Sequence, residues 1–136
     1  MYSPRPRLGM LTFDAKVSRM HSSNITVDVV LDVNKIPQDI HWRASQSNSE
    51  EGQKAKAMAL AFWDGGERAA FRIDLWTKDM MVDEMAEFYY QNLMGLADSF
   101  ERATHQQELV ADLRSFAAEF HRKFRKIQEE SQQKGM

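Results

Sequence analysis

Arg72, Asp74 and Trp76 alternate along the segment FRIDLW. On a strand, that spacing puts a guanidinium, a carboxylate and an indole on one face. Trp63, in the apolar run before Gly65-Gly66, joins the same face if the two runs form a hairpin. Arginine and tryptophan are the residue types in which interface binding energy concentrates. The small Ala55, Ala57, Ala59 and Ala61 would leave shallow grooves beside the large rings. Catalysis would need a nucleophile or a tuned base beside the pair, and none accompanies it. The competing reading is plainer: a solvated outer sheet face with one ion pair. The expectation adopted is a candidate interaction face of Trp63, Arg72, Asp74 and Trp76, with no catalytic, cofactor-binding or metal residue.

Other chemistry-bearing residues fall into bland patterns. His21, His41, His105 and His121 have no metal-ligand spacing of the HExxH kind. Asp-Gly-Gly-Glu at 64–67 lacks the lysine and following helix of a phosphate loop. There is no GxSxG elbow. Asp83-Glu84 and Glu129-Glu130 are sequence neighbours, which on a helix point about 100° apart and share no site. The run His121-Arg122-Lys123-Phe124-Arg125-Lys126 could touch acidic lipid or nucleic acid. A simpler role is to complement the C-terminal dipole of a helix, with Phe124 turned inward. A formal net charge of -2 disfavours nucleic acid as a partner.

Composition sets the scale for whatever positions these residues. At 136 residues, 43% hydrophobic and 28% charged, the chain suits one globular domain that buries a core without staples. No cysteine is present, so disulfides, thiolate zinc sites and a cysteine nucleophile are excluded. No apolar run approaches the ~18 residues of a transmembrane helix. The first residues, MYSPRPRLGM, lack the apolar core of a secretory signal. These features favour a cytoplasmic address.

Hydrophobic periodicity then assigns the elements. Residues 1–21 read as a flexible arm, with Met20 an alternative start. Residues 22–128 read as a single α+β domain, and 129–136 as a frayed tail. From Asn24, Ile25, Val27, Val29, Leu31 and Val33 alternate as in a half-buried strand. Asn34 to Pro37 supplies a turn, and a second strand holds Ile40, Trp42 and Ala44. KAKAMALAFWD, 54–64, reads as a third strand, because Gly65-Gly66 is a two-residue hairpin signal and a fourth strand follows. That turn would pair Leu60 with Phe71, Met58 with Ile73 and Phe62 with Ala69 on an apolar face. On the other face it would pair Ala59 with Arg72, Ala57 with Asp74, Trp63 with Arg68 and Ala55 with Trp76.

Beyond Thr77 the period lengthens to that of amphipathic helices. Val82, Met85, Ala86, Tyr89, Leu93, Leu96, Ala97 and Phe100 mark the first, with Asp79, Asp83 and Glu84 near its start. Leu109, Leu113, Phe116, Ala117, Phe120, Phe124 and Ile127 mark the second. The expected fold is a four-stranded antiparallel β-meander followed by two C-terminal helices packed on its Leu60/Phe71/Ile73 face.

RIDLWTKDMMVDEM and LADSFERAT, within 72–104, together with ITVDVVLDVNKIPQDIHW upstream, resemble the gliding-motility protein GldC family of the Bacteroidetes. The resemblance runs from about His21 to about Phe124. It departs at residues 1–19, which are extra, and at Met81, where a proline would be expected before Val-Asp-Glu-Met. The resemblance implies a small accessory protein of the gliding machinery, with no established molecular activity and no catalytic residues to carry over. The expected function is therefore non-enzymatic binding to a protein partner, with room for self-association. The alternative is a peptide-binding module like the export chaperone SecB, whose order of strands and helices is similar.

Overall fold

The computed structural model describes residues 20–45 and 51–135. Of the arm expected over residues 1–21, residues 1–19 lie outside them. The chain divides into two compact units after Asp79. The first holds β1 (Ile25–Leu31), β2 (Pro37–Ala44), β3 (Gln53–Ala55), β4 (Ala57–Asp64) and β5 (Ala69–Trp76). The second holds α1 (Val82–Thr104) and α2 (Gln107–Lys134). The fold class is α+β with antiparallel sheets and two C-terminal helices.

The sheet is not the single four-stranded meander expected from sequence. β1, β2 and β3 form a three-stranded sheet, and β4 with β5 a two-stranded one. The run read as one third strand is broken at Lys56, where the chain bends from one sheet into the other. Before the bend Ala55 pairs with Ile40; after it Ala57 pairs with Trp76. Thr77 holds the bend. Its N–H donates to the Lys56 carbonyl at 2.7 Å, and the Lys78 N–H donates to the Pro37 carbonyl at 3.1 Å. The Thr77 side chain is buried, and its hydroxyl lies against Asp79 and the Lys56 carbonyl.

The β1–β2 and β4–β5 turns are each built on an aspartate at the end of the first strand or just past it. Asp32 Oδ1 accepts N–H bonds from Asn34 and Ile36, and Lys35 takes the left-handed conformation at φ 64°. Asp64 Oδ1 accepts from Gly66 and Glu67, and Arg68 is left-handed at φ 53°. The β4–β5 connection is thus the four residues Gly65–Arg68, not the Gly65-Gly66 pair alone. The register moves two residues from the expected one. Leu60 faces Ile73, Met58 faces Leu75 and Phe62 faces Phe71. A shift of two leaves every side chain on its expected face, because the strand repeat is two.

The buried centre also differs from the expected Leu60/Phe71/Ile73 face. Among the described residues of the first unit the buried side chains are Ile40, at 1% exposure, and Thr77. Leu60 is half-buried, whereas Phe71 and Ile73 are 54% and 48% exposed. A two-strand ribbon has too little area to enclose its own aromatic residues. Ile40 sits on the central strand of the other sheet, with Val29 on one side and Ala55 on the other.

In the second unit α1 starts at Val82, where Glu84 reaches back to accept the Met81 N–H at 3.1 Å. That bond is half of a capping box, so the start is fixed without a proline. His105, left-handed at φ 56°, ends the helix by donating its N–H to the Glu101 carbonyl. α2 runs on through Lys134, including residues expected to fray. Ala97, Val110 and Ala117 are buried along the α1–α2 seam. Arg114 ties the helices by bonding Asp98 at 2.8 Å and Glu101 at 3.0 Å. His121 stacks on Tyr90 with centroids 4.2 Å apart and meets Glu87 at 3.3 Å.

Candidate interaction face

The β4–β5 register brings Trp63, Arg72, Asp74 and Trp76 onto one face. Trp63 lies opposite Ala70 at the turn end, and Trp76 opposite Ala57 at the other end. Between them Arg72 faces Ala61 and Asp74 faces Ala59. At about 3.4 Å per residue, Arg72 and Trp76 stand ~14 Å apart along the strand. The row of alanines on β4 keeps this surface low between the two indoles.

Arg72 and Asp74 form a two-pronged pair. Nε donates to Asp74 Oδ2 at 3.1 Å and Nη2 to Oδ1 at 2.9 Å. Two parallel bonds fix the guanidinium plane as well as its distance. The Arg72 guanidinium holds the Asp74 carboxyl below its ordinary range. Asp74 is therefore an anion held in place, not a base poised near neutrality. The side chains remain 53% and 41% exposed, and Trp63 and Trp76 are 64% and 52% exposed. Two exposed indoles thus flank an oriented ion pair on one face. No nucleophile stands within the set.

The other residues weighed from sequence are scattered. His41 pairs across strands with Asp28 and Lys54, His105 ends α1, and His121 lies in the helical seam. Among the described residues no three His, Asp or Glu side chains converge as a metal site would require. In the basic run, Arg122 bonds Glu119, while Phe124 is half-buried as expected. No described helix is long and apolar enough to cross a membrane.

Sequence reading missed Thr77, whose bonds to the Lys56 carbonyl fix the end of β5 at the bend. Its signal was present: Phe71, Ile73, Leu75 and Thr77 share one parity, so a polar residue was due on the apolar side. The Lys78–Asp32 ion pair at 3.2 Å, which ties β5's exit to the first turn, carried no local signal.

The family model of gliding motility-associated protein GldC-like matches residues 37–126. The chain belongs to that family. The match takes in β2 through most of α2, and so the whole GldC-like motif with Arg72, Asp74 and Trp76. β1, part of the stretch whose resemblance prompted the same assignment, lies ahead of the matched residues. No curated protein and no solved structure matches the chain.

Proposed function

We propose that this GldC-like chain is a non-enzymatic accessory protein of bacterial gliding motility, acting in the cytoplasm of a member of the Bacteroidetes. It works by binding a protein component of the gliding machinery through the Trp63–Arg72–Asp74–Trp76 face. The observation that carries this reading is the oriented Arg72–Asp74 pair between two exposed tryptophans. Exposed indoles cost solubility unless something covers them. The fixed ion pair supplies the polar specificity that a bare apolar patch lacks.

The test is a gene replacement in a gliding host, with Trp76→Ala and Arg72→Glu combined. The expected result is loss of colony spreading at unchanged protein level. Normal spreading by that variant sinks the reading.

A second reading rests on the opposite face of the same hairpin. Phe62, Phe71 and Ile73 are about half exposed there, a surface that could hold apolar segments of unfolded chains in the manner of SecB. Under that reading the protein slows aggregation of unrelated denatured proteins at stoichiometric amounts. No effect on aggregation removes it.

A further inference from the structure

The helical unit has a second apolar surface that its own seam does not use. Tyr89 and Leu96 on α1, and Leu109, Phe116 and Ile127 on α2, are each more than half exposed. With 3.6 residues per turn, Tyr89 and Leu96 lie about a quarter-turn before buried Ala97, and the three α2 residues the same offset from buried Ala117. In an antiparallel hairpin, equal offsets of one sense point to the same side. All five side chains therefore share one broad face of the α1–α2 hairpin.

Charges of both signs border this face along α2, with Glu119 and Glu130 among the acidic ones. Glu108 and Asp112 lie at its start, Lys123 and Lys126 toward its end. Of these, Lys123 alone has a near partner, Glu119 at 4.0 Å, and Glu119 is already held by Arg122. A partner helix laid antiparallel with the same sequence would complement this order. A two-fold axis near Ala117 and Ala118 brings these positions into register to within two residues. Leu109 meets Ile127, Phe116 meets Phe120, Asp112 meets Lys123, and Glu108 comes within a helical step of Lys126.

The level of α1 agrees with the same axis. The Arg114–Asp98 and His121–Tyr90 contacts place the Phe116–Phe120 stretch beside Leu93 and Leu96. A two-fold at that height sets Tyr89 of one copy against Leu96 of the other.

We propose that this face is the interface of a symmetric dimer, in which two α1–α2 hairpins stack as an antiparallel four-helix bundle. The partner is a second copy of this chain, because apolar pairing and charge order are met by one self-complementary register. The proposal does not rest on the reading of the sheet face, whose variants alter residues of the other unit.

The test is solution mass by light scattering across concentration for the whole chain, wild type beside Phe116→Asp, Asp112→Lys and the double variant Asp112→Lys, Lys123→Asp. The wild type is expected at twice 15.8 kDa. Phe116→Asp is expected as a monomer with its helix content kept. Asp112→Lys should weaken the dimer at least tenfold, by setting lysine against Lys123 of the other copy, and the double reversal should restore it. The charge variants sit at exposed positions and keep the test valid if Phe116→Asp misfolds. A wild type at 15.8 kDa at every concentration overturns the proposal, whether its face is then free or covered by the chain's own sheet or another protein. So does a dimer indifferent to the single charge reversal.

Discussion

The backbone N–H of Thr77 donates to the Lys56 carbonyl at 2.7 Å, joining the end of β5 to the bend where the chain leaves one sheet for the other. Thr77 is 3% exposed, so its hydroxyl cannot turn to water when its partners are lost. Thr77→Val keeps the shape and deletes the hydroxyl's bond to Asp79. The expected cost is about 1–3 kcal/mol, the worth of a hydrogen bond to a charged group, since Asp79 itself is open to water. A urea midpoint within error of wild type would show that the bend does not depend on this side chain.

Ile40 is the large side chain enclosed in the sheet unit, at 1% exposure. Ile40→Ala should cost roughly 2–5 kcal/mol through the cavity left behind. Phe71→Ala, at a site 54% exposed, should cost clearly less. Urea unfolding of the two variants side by side measures the order. A larger loss for Phe71→Ala would mean that its face is covered in solution.

The resolved shifts among the aspartates and glutamates, at Asp32, Asp74, Asp79, Glu101 and Glu119, are all downward. Asp32 is lowered first by the Ile36 N–H, and Asp74 by the Arg72 side chain. A carboxyl whose folded pKa lies below its unfolded one adds stability above the unfolded value, about 4. That stability disappears as pH falls through the folded value. The thermal midpoint should thus be flat from neutrality to about pH 5 and drop below pH 4. Asp74→Asn should differ little from wild type at pH 7, since the pair is open to solvent, and the two should converge in acid. A gap that widens on acidification would contradict this assignment.

Arg114 bonds both Asp98 and Glu101 across the helical hairpin. Lysine offers a point charge in place of the planar fork and does not reproduce both bonds in that geometry. Arg114→Lys should therefore lower the thermal midpoint, by less than Ile40→Ala does. A loss as large as that of Ile40→Ala would mean that the pair is enclosed.

The faces of the β4–β5 hairpin were legible in the sequence, while its pairing was not. Alternation fixes parity, so Arg72, Asp74 and Trp76 were placed correctly on one side. Register depends on the loop, and Gly65-Gly66 pointed to a two-residue turn. The cap that Asp64 gives Gly66 and Glu67, with Arg68 left-handed, lengthens it to four. The break at Lys56 was hidden because Ala55 and Ala57 suit a strand on either side of it. The helices were read well where apolar spacing was dense. Gln128 to Lys134 carries no apolar stripe to mark a helix, yet α2 runs through it on mostly good helix formers.

On the proposed reading, the Trp63–Arg72–Asp74–Trp76 face holds a protein partner. The most direct measurement is quantitative recovery of proteins bound to the tagged chain from gliding cells, wild type against the folded Trp76→Ala, Arg72→Glu variant. A gliding-machinery component recovered with wild type should fall to background with the variant. Equal recovery of that component with both would contradict the reading.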